Sequence, residues 1–151
     1  MFNFKLQTVL DYRKQLEEKQ MLEFAVTEKR LNCEKETLRK LRRKKGDLIS
    51  RLEKMGEGKL SAADASTYLS YISRIKDEEN QKEDVICQIG KELKEKRAEL
   101  VDASKKKRIL EILKEKSLKE YKVSWINRER KELDEAGIFR AGARGRGSGV
   151  R

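Results

Sequence analysis

Seven residues, Met55-Gly56-Glu57-Gly58-Lys59-Leu60-Ser61, form the only clear break in roughly 135 residues of helical apolar spacing. Gly56 suits a helix end, because a residue without Cβ takes the left-handed conformation at little cost. Ser61 suits a helix start. Its hydroxyl reaches the amide of Asp64, Asp64 reaches back, and Leu60 and Ala65 occupy the two staple positions. The chain is therefore expected to rise as one long helix over 4–55, turn at Gly58 within 56–61, and return as a longer helix over 62–137.

Such a chain has no ordinary globular core. Among its 151 residues proline is absent, 43% are charged and 6% are aromatic. These are good helix formers with little to fill a ball, so the core is expected to be a seam. In the first helix the seam rows are Phe24, Leu31, Leu38, Lys45, Leu52 and Thr27, Glu34, Leu41, Leu48, Met55. Leu6, Val9, Leu10 and Leu16 continue the stripe toward the start. Gly46 lies inside this helix with no sequence reason, at a cost of about 1 kcal/mol against alanine. In the second helix the seam runs Ala65, Tyr68, Ile72, Ile75, Glu79, Lys82, Ile86, Ile89, Leu93, Lys96, Leu100, Ala103, Lys107, Leu110.

With a turn centred on Gly58, facing residues have numbers that add to about 116. Leu48 then faces Tyr68, Leu41 faces Ile75, Phe24 faces Leu93 and Leu6 faces Leu110. Nearly every apolar seam residue of the first helix finds an apolar partner. Glu34 falls opposite Lys82, a charge pair expected to fix the register. The same register leaves about 22 residues of the second helix, roughly 33 Å, beyond the start of the first. That overhang holds Leu118, Tyr121, Val123, Trp125, Ile126 and Leu133. So many large apolar groups imply either self-association or a docking rod for another protein, and the docking rod is the favoured reading.

The formal net charge of +11 favours acidic partners: nucleic acid, anionic lipid or an acidic protein surface. Residues 105–131 hold eleven Lys and Arg against four Glu, so apolar anchors and positive charge share one region. The basic run Arg39–Lys45 reads as a solvated helix face, since no aromatics interleave with it. The Gly/Arg-rich residues 138–151 are expected to be a disordered, solubilising end, with only a slight likeness to an Arg-Gly RNA-binding tail. Nucleic acid is thus not the expected partner.

Several chemistries are missing. The chain has no histidine, no phosphate-cradling glycine loop and no cleft-forming carboxylate pair, so neither catalysis, a cofactor nor a small-molecule substrate is expected. Cys33 and Cys87 form no CxxC pair and read as reduced thiols, with no metal. No apolar run reaches membrane-spanning length and the N-terminus lacks a signal-peptide core, so a soluble, cytoplasmic chain is expected.

Two motifs carry a family resemblance. The opening Phe2-x-Phe4-x-Leu6-Gln7-x-Val9-Leu10-Asp11-Tyr12-Arg13, followed by Glu17-Glu18, resembles the start of FliJ, the coiled-coil protein of the bacterial flagellar export apparatus. The later run Lys106-Lys107-x-x-Leu110-Glu111-x-Leu113-Lys114-Glu115-Lys116, with Tyr121 and Lys131-x-Leu133-Asp134-Glu135-Ala136, is similar to its C-terminal part. The resemblance spans about residues 2–137, and the tail after Ile138 departs from the pattern.

The resemblance implies an all-α fold: an extended antiparallel two-helix coiled coil with an overhanging second helix, similar to the gamma stalk of rotary ATPases. It implies three partners: the hexameric flagellar export ATPase, the cytoplasmic domain of the export-gate membrane protein, and export chaperones. The protein would couple ATPase and gate at the cytoplasmic face of the inner membrane, at the flagellar base. Leu6, Gln7, Leu10, Arg13, Leu113, Lys114 and Tyr121 match the family motifs at the open end and, with Trp125 of the overhang, are the expected ATPase contacts. Near the tip, Leu69 and Tyr71 lie off the seam and are the expected gate contacts. Three alternatives stand beside this reading: the equivalent stalk of virulence type III secretion, a basic coiled coil binding nucleic acid through Lys105–Lys131 and the tail, and a plain dimerising coiled coil. The Phe-x-Phe-x-Leu-Gln opening leans flagellar.

Overall fold

The computed structural model describes residues 2–56 and 61–145, with side chains as far as Arg140. Two helices account for nearly all of them: α1, Gln7–Gly56, and α2, Ala62–Gly145. No strand occurs among the described residues. The chain divides into two compact units, Gln15–Ser104 and Met1–Lys14 with Lys105–Arg151. In each, α1 and α2 residues pack antiparallel, so the fold class is the all-helical hairpin expected.

Gln15–Ser104 holds the seam. Thr27, Leu31, Leu38, Ile75, Glu79, Ile89 and Ala103 are buried, and all other seam positions expected of α2 in this unit are half-buried. At the tip, α2 starts with Ser61 capping it. The Ser61 hydroxyl accepts from the Asp64 amide at 3.2 Å and donates to the Asp64 carboxylate at 2.9 Å. Gly56 is the last residue of α1, but its φ is not left-handed. The turn expected at Gly58, with the staple residue Leu60, lies outside the described residues.

Ion pairs report the register of this unit. Glu34 meets Lys82 at 2.6 Å, as the seam spacing requires. The other interhelical pairs are offset from a sum of 116: Lys96–Glu23 adds to 119, Arg30–Glu92 to 122, Lys45–Glu79 to 124 and Arg42–Glu83 to 125. Two effects account for part of this. The last residue of α1 and the first of α2, Gly56 and Ala62, add to 118, two above the expected sum. Helical side chains also lean toward the N-terminus of their own helix, about one residue each. In an antiparallel pair both leans add, which raises side-chain sums by about 2 above the backbone value. Lys45 reaches beyond this offset to Glu79, at 2.6 Å.

In the unit of Met1–Lys14 with Lys105–Arg151, α1 begins at Gln7, not at residue 4. The Gln7 amide donates to the Phe4 carbonyl at 3.0 Å, and Phe4 is buried. A ring in the seam anchors this turn, where no polar side chain among the described residues caps it. Lys114 Nζ donates to Gln7 Oε1 at 2.8 Å, and the Phe2 and Tyr121 rings lie 5.6 Å apart. These pairs add to 121 and 123, so the free part of α2 starts at Lys122 and not at residue 116. Leu118 and Tyr121, expected to overhang, are half-buried. At its other end α2 continues to Gly145, past the expected stop at Gly137. Gly137 keeps a helical φ, and one glycine costs a helix only about 1 kcal/mol where Ala136, Arg140, Ala141 and Ala143 flank it. Residues 146–151 lie outside the described residues.

Candidate protein-docking site

The unit of Met1–Lys14 with Lys105–Arg151 contains all eight residues expected to contact an ATPase. Leu10, 2% exposed, fills the seam and holds its neighbours in place. Gln7 is clamped from two sides, accepting from Lys114 and donating through Nε2 to Asp11 at 2.8 Å. That clamp sets the spacing of the two helices where Leu6 and Leu113 come to the surface. Leu6 and Leu113 line one open groove of about 480 Å³ with Asn3, Phe4, Lys5 and Ser117. Arg13 is half-buried, with its guanidinium 6.0 Å from the Tyr12 ring centre.

A second groove, of about 330 Å³, is lined by Tyr121, Lys122, Trp125 and Ile126. It sits on one helix, where residues four apart share a face. Tyr121 forms its inner wall and stands against Phe2. Trp125 is 54% exposed and Ile126 55%. From Lys122 to Arg140 every side chain is exposed, including Leu133, Ile138 and Phe139. Exposed apolar surface of this extent marks an interaction surface.

The structure brings Leu6 together with Leu113, Gln7 with Lys114, and Tyr121 with Trp125. It does not bring Leu69 and Tyr71 together. Two residues apart, they point about 200° away from each other around α2. Leu69 faces solvent, whereas Tyr71 turns toward α1, its ring centre 5.2 Å from Lys44 Nζ. Beside Tyr71 the Lys44 ammonium is held above its ordinary range, chiefly through a hydrogen bond to the phenol oxygen. Sequence reasoning missed Phe2, Asn3, Lys5 and Ser117 as parts of the site. The alternating Phe2-x-Phe4 pair was the available signal, since a helix starting at residue 4 has no use for a ring at residue 2.

No helix among the described residues is long and apolar enough to cross a bilayer. Among known structures, one from Chlamydia trachomatis described as a YscO homologue superposes with a TM-score of 0.68 at 20% identity, covering 98% of this chain and all of that one. At that identity the likeness is one of fold. No curated protein matches. The family model described as "Flagellar FliJ protein" matches residues 2–146, nearly the whole chain. The chain therefore belongs to the flagellar FliJ protein family, as a non-catalytic coiled-coil component of the export apparatus.

Proposed function

We propose that this chain is a stalk-like coiled coil that binds the hexameric flagellar export ATPase with its Met1–Lys14 and Lys105–Arg151 residues. It promotes assembly and activity of the ATPase ring and couples it to the export-gate membrane protein and to export chaperones. The observation that carries this reading is the uncovered, apolar and basic run of α2 beyond Tyr121, in a chain matched by the FliJ family model over residues 2–146. Leu6, Leu113, Tyr121 and Trp125 supply apolar contacts, Arg13 and Lys114 supply charge, and Gln7 and Leu10 hold the frame. Exposed Leu69 is proposed to meet the gate, and Tyr71, on a different face of α2, is proposed as a separate gate contact. The protein works in the cytoplasm, peripheral to the membrane at the flagellar base, and holds no cofactor.

The test is ATP hydrolysis and ring assembly by purified flagellar export ATPase, with and without this protein. Stimulation is expected, and Tyr121→Ala with Trp125→Ala is expected to remove it. Stimulation that survives the double change would put the contact elsewhere; no stimulation at any ratio would remove the ATPase from the proposal. Steeply salt-dependent binding to duplex DNA would then favour a basic coiled coil for nucleic acid.

A further inference from the structure

Glu79 and Lys82 sit one turn apart on α2, yet the residues they hold on α1 are far from each other. Glu79 meets Lys45 and Lys82 meets Glu34, each at 2.6 Å. Lys45 and Glu34 are eleven residues apart, about 16 Å along the helix axis, whereas the three residues from Glu79 to Lys82 span about 4.5 Å. The two pairs therefore splay. Glu79 reaches toward the C-terminal end of α1 and Lys82 toward its N-terminal end. Glu79 is buried and the other three are half-buried, with Leu38 and Leu41 of α1 lying between the two anchor points.

Stability does not call for these charges. Well-packed apolar residues of similar volume in a seam are often as stable as an ion pair, or more so. Splayed ion pairs have what an apolar seam lacks, which is direction. If α2 slides toward the C-terminal end of α1, Glu79 closes on Lys45 while Lys82 is drawn away from Glu34. Sliding the other way reverses the two. Arg42–Glu83 leans as Lys45–Glu79 does, but both of its side chains are exposed, so it adds little. We propose that Lys45–Glu79 and Glu34–Lys82 form a two-way stop that keeps the helices of Gln15–Ser104 from sliding past each other. A push or pull on one helix then passes to the other without a change of register, and this unit bears axial load as one rod. The stop needs no partner, so it stands or falls apart from the ATPase and gate readings.

Cysteine cross-linking in the full chain tests the direction of each half of the stop. In a background without Cys33 and Cys87, Leu31→Cys is combined in turn with Ile86→Cys, Ile89→Cys and Leu93→Cys, at three successive seam positions of α2. With the stop intact, the Ile89→Cys pair should cross-link fastest. Glu34→Gln releases α2 toward the C-terminal end of α1, so cross-linking through Leu93→Cys should rise about threefold or more, with Ile86→Cys unchanged. Lys45→Met with Glu79→Leu should do the reverse, raising Ile86→Cys and leaving Leu93→Cys unchanged. Exchanging the charges, Glu34→Lys with Lys82→Glu, should return the wild-type pattern. The apolar replacement and the charge exchange leave no unpaired charge in the seam, so they stay folded even if Glu34→Gln does not, and the Ile86→Cys result then decides. Equal rises through Ile86→Cys and Leu93→Cys would mean a loosened seam and would overturn the proposal. Cross-linking through Ile89→Cys alone in every variant would overturn it too, and leave the register to the turn. An exchange variant that does not regain the wild-type pattern would have the same force.

Discussion

Glu79 carries a carboxylate into the seam with Lys45 as its counter-charge. Its side chain is 8% exposed and that of Lys45 29%, and Glu79 Oε1 is buried without a hydrogen bond. A buried carboxylate left alone is costly, whereas an apolar replacement of both partners is often neutral or better. Lys45→Met should destabilise by about 2–3 kcal/mol, below the cost of breaking a fully buried pair because Lys45 is partly solvated. Lys45→Met with Glu79→Leu should recover that loss or exceed it. Urea unfolding followed by circular dichroism measures both; a single variant as stable as wild type would show that water reaches Glu79. Glu23 and Lys96 give a pH signature instead. Lys96 holds the Glu23 carboxyl below its ordinary range by hydrogen bond and charge, and Glu23 holds the Lys96 ammonium above its own. The Glu23 contribution is therefore present above pH of about 4.3 and lost as pH falls through its lower folded value. The Lys96 contribution is present below about 10.4 and lost as pH rises through its higher folded value. Glu23→Gln should thus lower the urea midpoint at pH 7 but leave it close to wild type near pH 2. An equal difference at both pH values would remove the pair as the cause.

At the scale of the helix, the periodicity carried most of the fold. Each α2 position from Ala65 to Leu110 chosen by spacing alone is buried or half-buried. In α1, Val9 and Met55 are exposed, and so is Leu6 just before the helix. Register was less legible, because apolar seam residues tolerate a shift of two or three residues and only the lean of long polar side chains reveals it. Of the candidate site, the residues that sit in the helices could be placed from the sequence, while residues 2–5, where the chain is not helical and no period applies, could not. Glu34–Lys82 remains the proposed register pin. In a background without Cys33 and Cys87, Leu31→Cys with Ile89→Cys should form a disulfide readily, and Glu34→Lys should suppress it. Unchanged cross-linking would transfer that role to the flanking pairs Lys45–Glu79 and Lys96–Glu23. Gly46 is a different matter. It has helical φ and nothing within 4 Å of where its Cβ would sit. Gly46→Ala should stabilise the chain by about 1 kcal/mol, read as a higher urea midpoint with unchanged slope. A loss of stability would mean that the backbone there needs the freedom glycine gives.

At the scale of the whole molecule, stability and binding should come apart. The helices pack through residues up to Tyr121, while the side chains from Lys122 to Arg140 lie exposed. Hydrophobic stabilisation follows area removed from water, so the exposed stretch adds little to folding. A truncation after Tyr121 removes 24 of the 134 helical residues, 50 in α1 and 84 in α2. The helical signal at 222 nm should fall by about a fifth in proportion, because each residue contributes through its own helical turn. The midpoint of thermal unfolding should move by no more than about 4 °C, the shift expected for 1 kcal/mol or less in a domain of this size. Stimulation of the export ATPase should vanish in the same protein. A midpoint that drops much further would make the exposed stretch part of the folded body, and its apolar surface would then need an explanation within the chain. Intact stimulation would move the working contact inward, to the groove of Leu6 and Leu113 that the truncation leaves in place.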